Sequence, residues 1–340
     1  MISHKIIFFV LLIFSFSSCI TTKTAVKDFN NAEYYDASIK FEKITKEGDS
    51  ENSFLLAESL RKSNRLWKAE KYYKDAIKFG IRDEMAYYYL TLSLKGNSNY
   101  DAADSLISNY LSKGKDESVI NLMKRESIHI KNLRLYPDTS YYKVKNLKAL
   151  NTNYAEYSPA FSNEKLYFVS NRQSEKIYSG TGTPFTDLYE IKSKGANVDI
   201  NSLKKLGENI NNEKVNEGSI TFSGDGMYMI FAKGNNGKSN GRNNVDLYYS
   251  RYRRSGWTNP KLLNVNTSRS WDSTPYLSKD GKTLYFASNR SKGFGGTDIY
   301  KANVNRRGRW INIQNLGPEI NTPGNELFPS VTEDGRLYFS

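Results

Sequence analysis

Ser278-Lys279-Asp280-Gly281-Lys282-Thr283-Leu284-Tyr285-Phe286-Ala287-Ser288-Asn289-Arg290 decides how the second half of this chain folds. An apolar strand, Pro275-Tyr276-Leu277, runs into it. Asp280-Gly281 reads as a hairpin turn, because both turn residues tolerate positive φ. Leu284-Tyr285-Phe286 is the returning strand, and Asp298-Ile299-Tyr300 opens a third. The same pattern lies on both sides. Upstream, Glu217-Gly218-Ser219-Ile220-Thr221-Phe222 leads into Asp225-Gly226, then Ile230-Phe231 and Asp246-Leu247-Tyr248. Earlier still, Glu156-Tyr157-Ser158-Pro159-Ala160-Phe161 precedes Leu166-Tyr167-Phe168 and Asp187-Leu188-Tyr189, with the turn shortened to Asn163-Glu164. Downstream, Glu326-Leu327-Phe328-Pro329 leads to Asp334-Gly335 and Leu337-Tyr338-Phe339. The leading acids stand 61, 55 and 54 residues apart, at positions 156, 217, 272 and 326.

Fourth strands are predicted at Trp257 to Leu263 and at Trp310 to Leu316. Four antiparallel strands per repeat fit the blade of a β-propeller. Residues 140–340 are therefore expected to form an incomplete all-β propeller, its fourth repeat cut after the second strand. Asp187, Asp246 and Asp298 recur in register and are read as caps of each blade's turn, not as a ring of metal ligands. With two histidines and one cysteine, a transition-metal site is disfavoured, and no cofactor is expected.

Residues 31–135 carry the other periodicity, with apolar positions at helical spacing and few Gly or Pro. Helices are predicted at 32–46, 51–62, 66–79, 83–95, 99–112 and 117–134. Ala37, Ala69 and Ala102 recur at intervals of 32 and 33 residues, each with a large apolar residue four positions on. A small residue lets a partner helix approach, and the large one fills the space beside it. Such arrays present a concave groove that binds and carries no chemistry of its own. Tyr87-Tyr88-Tyr89 belongs either to that groove or to the core.

The N-terminus reads as an address. Met1 to Lys5 is short and basic, Ile6 to Phe16 is an apolar run, and Ser17-Ser18-Cys19 follows. Eleven residues are too few for a membrane-spanning helix and fit a signal peptide over residues 1–18. Cys19 is the one cysteine of the chain, so it forms no internal disulfide, and acylation is its expected use. Residues 19–30 are read as the lipid-anchored linker. The net charge of +13 is spread over both halves and is read as a solvated basic surface. In a secreted chain nucleic acid is not an expected partner.

Two apparent chemical motifs fail on context. Gly237-Lys238-Ser239-Asn240-Gly241 has the spacing of a serine-hydrolase nucleophile elbow, which needs a strand before it and a helix after it. Ser239 instead falls in a polar Asn/Gly loop, and His129 sits in the helical half. Gly293-Phe294-Gly295-Gly296 opens no helix and reads as a turn. No catalytic residue is assigned, and the chain is expected not to be an enzyme.

The helical half resembles the tetratricopeptide repeat, without most of its Gly and Pro landmarks. The stretch Ser278 to Arg290 resembles the WD40-like repeat of the TolB propeller class. A lipoprotein signal, degenerate helical repeats and such blades together resemble PorE-type accessory lipoproteins of the type IX secretion system in Bacteroidota. That resemblance implies an outer-membrane lipoprotein facing the periplasm, with secretion-system envelope proteins as partners. It also implies a peptidoglycan-binding OmpA-like domain downstream of Ser340. Propellers of this class also precede the hydrolase domain of prolyl-oligopeptidase-like peptidases, which is the alternative expectation.

Overall fold

A computed structural model describes residues 21–135, 146–172, 174–234, 245–268 and 270–340. It is an α+β architecture, with seven described helices followed by a series of antiparallel sheets. The helices are α1 (Thr22–Asn30), α2 (Tyr34–Ile44), α3 (Ser50–Lys62), α4 (Leu66–Lys78), α5 (Met85–Gly96), α6 (Tyr100–Lys113) and α7 (Glu117–Leu135). Each packs on the next, and α1 also reaches α3 as α5 reaches α7. α1 corrects the expected linker. Thr21 caps it, its hydroxyl accepting from Thr24 N at 3.3 Å, and Ala25 is fully buried.

Three tight corners explain the helical period. Ala32, Asn64 and Ser98 adopt φ of 62°, 61° and 59°. At each corner an amide reaches back five residues: Glu33 N to Asp28 O, Arg65 N to Leu60 O and Asn99 N to Leu94 O, at 2.8–2.9 Å. This left-handed corner is where glycine is the cheapest residue, and here Ala32, Asn64 and Ser98 hold it. Five residues after each corner stand Ala37, Ala69 and Ala103, all at 0% exposure. Ala103, not Ala102, is therefore the third member of the series. Ala102 lies beside it and is only partly buried. Phe41, Tyr73 and Ile107 follow four positions on and complete the core.

The first sheet runs β1 (Glu156–Ser162), β2 (Lys165–Ser170), β5 (Asp187–Lys194), β6 (Asn197–Lys205), with a small hairpin of β3 (Ile177–Tyr178) and β4 (Thr183–Pro184) inserted before its third strand. The second runs β7 (Asn216–Phe222), β8 (Tyr228–Gly234), β9 (Val245–Arg253), then β10 (Gly256–Trp257) and β11 (Lys261–Leu262), both paired with β9. Pro260 splits what the sequence suggests is one fourth strand, because it has no N–H to donate. The third sheet is β12 (Asp272–Leu277), β13 (Thr283–Ser288), β14 (Asp298–Val304) and β15 (Trp310–Asn315), and β16 (Ser330–Val331) pairs with β17 (Leu337–Tyr338).

The sheets stack face to face. Tyr167, Val169 and Leu188 of the first meet Ile220, Met229 and Phe231 of the second. Ile230 and Leu247 on the reverse face meet Leu277, Leu284 and Phe286 of the third. Second strands such as Leu166-Tyr167-Phe168 are apolar without alternation because both of their faces are covered. Each fully buried Phe or Leu in these layers contributes about 1.5–3 kcal/mol.

The turns differ from the sequence reading. Only the glycine of each Asp-Gly pair has positive φ, at 68° for Gly226, 70° for Gly281 and 83° for Gly335. Gly226 N donates to Ser223 O, and Gly281 N to Ser278 O, both at 2.8 Å. These are longer loops, a turn followed by a left-handed glycine, rather than two-residue loops. Asp225 and Asp280 hold them by accepting the Met227 and Lys282 amides at 3.0 Å. Asp334 accepts the Thr332 hydroxyl, as Asp225 and Asp280 accept those of Ser223 and Ser278. Asn163 (48°) and Glu164 (56°) both hold positive φ, in a loop closed by the Ser162–Lys165 pair.

Candidate functional site

The recurring charged residues converge on joints between strands. Glu156, Glu217 and Asp272 stand at the start of the inner strands, and each meets a cation from the end of the second strand. The pairs are Arg172–Glu156 at 2.8 Å, Lys233–Glu217 at 2.9 Å and Arg290–Asp272 at 2.8 Å. Each cation also donates to a carbonyl of the preceding connection: Leu150 O (2.7 Å), Ile210 O (2.7 Å) and Val265 O (3.1 Å). Arg172 lies over the Phe168 and Tyr189 rings, and Arg290 over Phe286 and Tyr300. In the first and third sheets the motif is Ser-Asn-Arg. Ser170 and Ser288 accept from the guanidinium, and Asn171 and Asn289 accept from Ala155 N and Trp271 N.

The second sheet departs from this pattern. Its strand ends Ala232-Lys233-Gly234, so the serine acceptor is gone and a point charge replaces a planar fork. Glu217 Oε2 is buried with no hydrogen-bond partner among the described residues. Burial pushes the Glu217 carboxyl up to about 8.

Asparagines close the other half of each joint. Asn211 accepts from Leu188 N (2.8 Å) and donates to Leu188 O and Leu206 O. Asn266 does the same with Leu247 and Leu263, and Asn321 holds Ile299 N at 2.7 Å and Ile299 O at 3.1 Å. Positions 211, 266 and 321 are each 55 residues apart. That regular spacing was the sequence signal for residues the motif reading passed over.

The three aspartates opening third strands play different parts. Asp298 accepts from Phe294 N (2.6 Å), Gly295 N (3.1 Å) and Asn315 (2.7 Å), so it caps the Gly293-to-Gly296 turn. Asp187 is paired with Lys205 at 2.7 Å, and burial raises its carboxyl. Burial also raises Asp246, with the Asp272 charge adding to it.

The inner strands line a cavity of about 1120 Å³, bounded by Ser158, Pro159, Ser219, Thr274, Pro275 and Phe328 among others. Ser158, Thr274 and Phe328 have φ of 55°, 42° and 53°, each just before a proline, and the ladders of β1 and β12 slip there. A bulge with proline blocks strand addition along these inner edges. The charges at the cavity rim pair with one another, Lys279 with Glu333. The cavity wall therefore offers hydroxyls, prolines and aromatic rings, with no convergent acid, base and nucleophile among the described residues.

In the helical half, Glu58 is buried, accepting from Arg61 at 2.9 and 2.6 Å and from the Tyr73 hydroxyl at 2.5 Å. Tyr89 lies under Arg61, and Tyr87 against Tyr110, so the tyrosine run packs on the helical core. His129 Nδ1 is 3.6 Å from Glu126, which Lys95 also engages. Cys19 and Ser239 lie outside the described residues. Among the described residues no three His, Cys, Asp or Glu cluster as a metal site, and no helix is long and apolar enough to cross a membrane.

Stacked helical hairpins followed by face-packed four-stranded sheets, fastened at repeated joints, are the class this geometry defines. No family model and no curated protein matches the sequence. Among solved structures, a luciferin-regenerating enzyme is similar at 14% identity and a TM-score of 0.33, over 57% of this chain and 56% of that one. An α-L-arabinofuranosidase from Lactobacillus brevis is similar at 14% and 0.33, over 52% and 60%. Prolyl oligopeptidase B from Galerina marginata is similar at 13% and 0.26, over 68% and 40%. The chain thus spans less than two thirds of each of these proteins, and likenesses of this size carry no argument about activity.

Proposed function

We propose that the protein is a non-enzymatic scaffold of the bacterial envelope, a TPR-like array joined to propeller-like blades and held in the outer membrane by acylated Cys19. The carrying observation is where the repeated charges go. Glu156, Glu217 and Asp272 are engaged by cations that fasten strands, and Asp298 caps a turn. What remains exposed is surface for partners. On the family resemblance those partners are secretion-system envelope proteins and peptidoglycan. Deleting the gene should weaken export of type IX cargo, and Cys19→Ser should remove the protein from the outer-membrane fraction. Ser239→Ala and His129→Ala should leave export unchanged. Normal export in the deletion strain overturns the secretion role, and loss of function in a stable Ser239→Ala protein would favour the peptidase reading.

A further inference from the structure

One end of the sheet stack carries cations with no ion-pair partner among the described residues. In each of the three large sheets a backbone hydrogen bond ties the turn after the first strand to the hairpin that follows the third. The three are Ser193 N to Glu164 O (2.9 Å), Tyr252 N to Met227 O (2.8 Å) and Val304 N to Lys282 O (3.0 Å). First turns of neighbouring sheets touch as well, Asn163 donating to Asp225 O at 3.4 Å. All three outer hairpins therefore emerge at one end. Residues 247–271 and 299–318 contain no Asp or Glu. They present Arg251, Arg253, Arg254, Arg306, Arg307 and Arg309, all exposed. None of the six forms an ion pair among the described residues.

The tips are preformed. Asn305 Oδ1 accepts from Arg307 N (2.9 Å) and Arg309 N (3.0 Å), and Gly308 turns the chain at φ 72°. Tyr252 (41% exposed) and Ile311 (40%) lie among the cations. The helical array attaches elsewhere, at the loop between second and third strands, where Tyr35 N donates to Ser179 O at 3.0 Å. That loop leaves the end of the sheet opposite the basic hairpins.

We propose that this rim docks on an anionic lipid bilayer. Two neighbouring hairpin tips at one end carry the six arginines, and an exposed row of cations suits an extended anion. Guanidinium forks take phosphate oxygens in pairs, while Tyr252 and Ile311 supply apolar contact at headgroup depth. The attraction is independent of the Cys19 anchor. Full-length protein is to be sedimented with phosphatidylcholine vesicles and with vesicles also containing phosphatidylglycerol. Binding to the uncharged vesicles reports the acyl anchor, and the increment from anionic lipid reports the rim. The increment should fall by roughly fivefold for each cation removed among R253Q, R254Q, R306Q and R307Q, and should fall with added salt. K214Q, at the other end of the stack, should leave it unchanged. No increment from anionic lipid, an increment the quadruple variant retains, or tighter binding of duplex DNA at equal phosphate concentration overturns the proposal.

Discussion

Asp272 is fully buried, and its charge is tolerated because Arg290, Ser270 and Thr267 N all point at it. Removing the cation leaves an uncompensated buried charge, a change that costs about 3–5 kcal/mol. Arg290→Met should lower the urea midpoint of the sheet transition accordingly. Glu217 is the complementary case, an acid with one oxygen unpartnered. Its ordinary value is 4.5, and burial moves it to about 8 in the folded chain. The folded state therefore binds the proton more tightly. Its contribution to stability is complete below pH 4.5 and is lost as pH rises through 8. Melting temperatures recorded across that window should fall more steeply for the native protein than for Glu217→Gln. Parallel curves would mean that Lys233 satisfies the carboxylate fully.

Strand-to-connection joints are the next scale up. Asn266 supplies three hydrogen bonds to buried backbone groups of Leu247 and Leu263. Asn151 stands in the corresponding place before β1, yet its side chain donates only to Asn146 among the described residues, at 2.9 Å. Asn266→Ala orphans a buried amide and carbonyls and should cost about 2–3 kcal/mol, whereas Asn151→Ala should cost well under 1 kcal/mol, being a surface change. Equal losses in chemical denaturation would show that Asn151 holds a strand as the others do. Turns belong to this scale too. Gly281 meets open space at its missing Cβ but holds φ 70°, so Gly281→Ala should cost about 1–2 kcal/mol through backbone strain alone.

Across the whole molecule, the β3–β4 hairpin couples helices to sheets. Tyr178 lies beside Tyr34 and Glu33, and burial pushes its hydroxyl up to about 12. A Cβ on Gly182 would stand 2.1 Å from the Tyr35 ring, so there is no room for a side chain. Gly182→Val should part the helical array from the first sheet. Small-angle scattering should then report a larger radius of gyration, with both halves still folded by circular dichroism. An unchanged radius would mean the two halves are held by other contacts.

Two periodicities were legible from the residues alone. Spacing of 32 and 33 marks helical hairpins, because each corner must return the chain to the same packed position. Spacing near 55 marks four-stranded sheets, because apolar runs and Asp-Gly turns report burial and reversal locally. Even the leading acids were visible as a recurrence. Their partnership was not, since Asp272 and Arg290 meet only once β12 and β13 pair. The slip from Ala102 to Ala103 depends on a corner whose left-handed residue is Ser98, a conformation that side-chain identity does not announce. The unpartnered Glu217 oxygen, the joints made by Asn211, Asn266 and Asn321, and the gathering of six arginines at one end all arise from segments distant in sequence. Hydropathy and turn chemistry act between neighbours along the chain, whereas burial of a charge and the sharing of a surface are set by what lies across the fold.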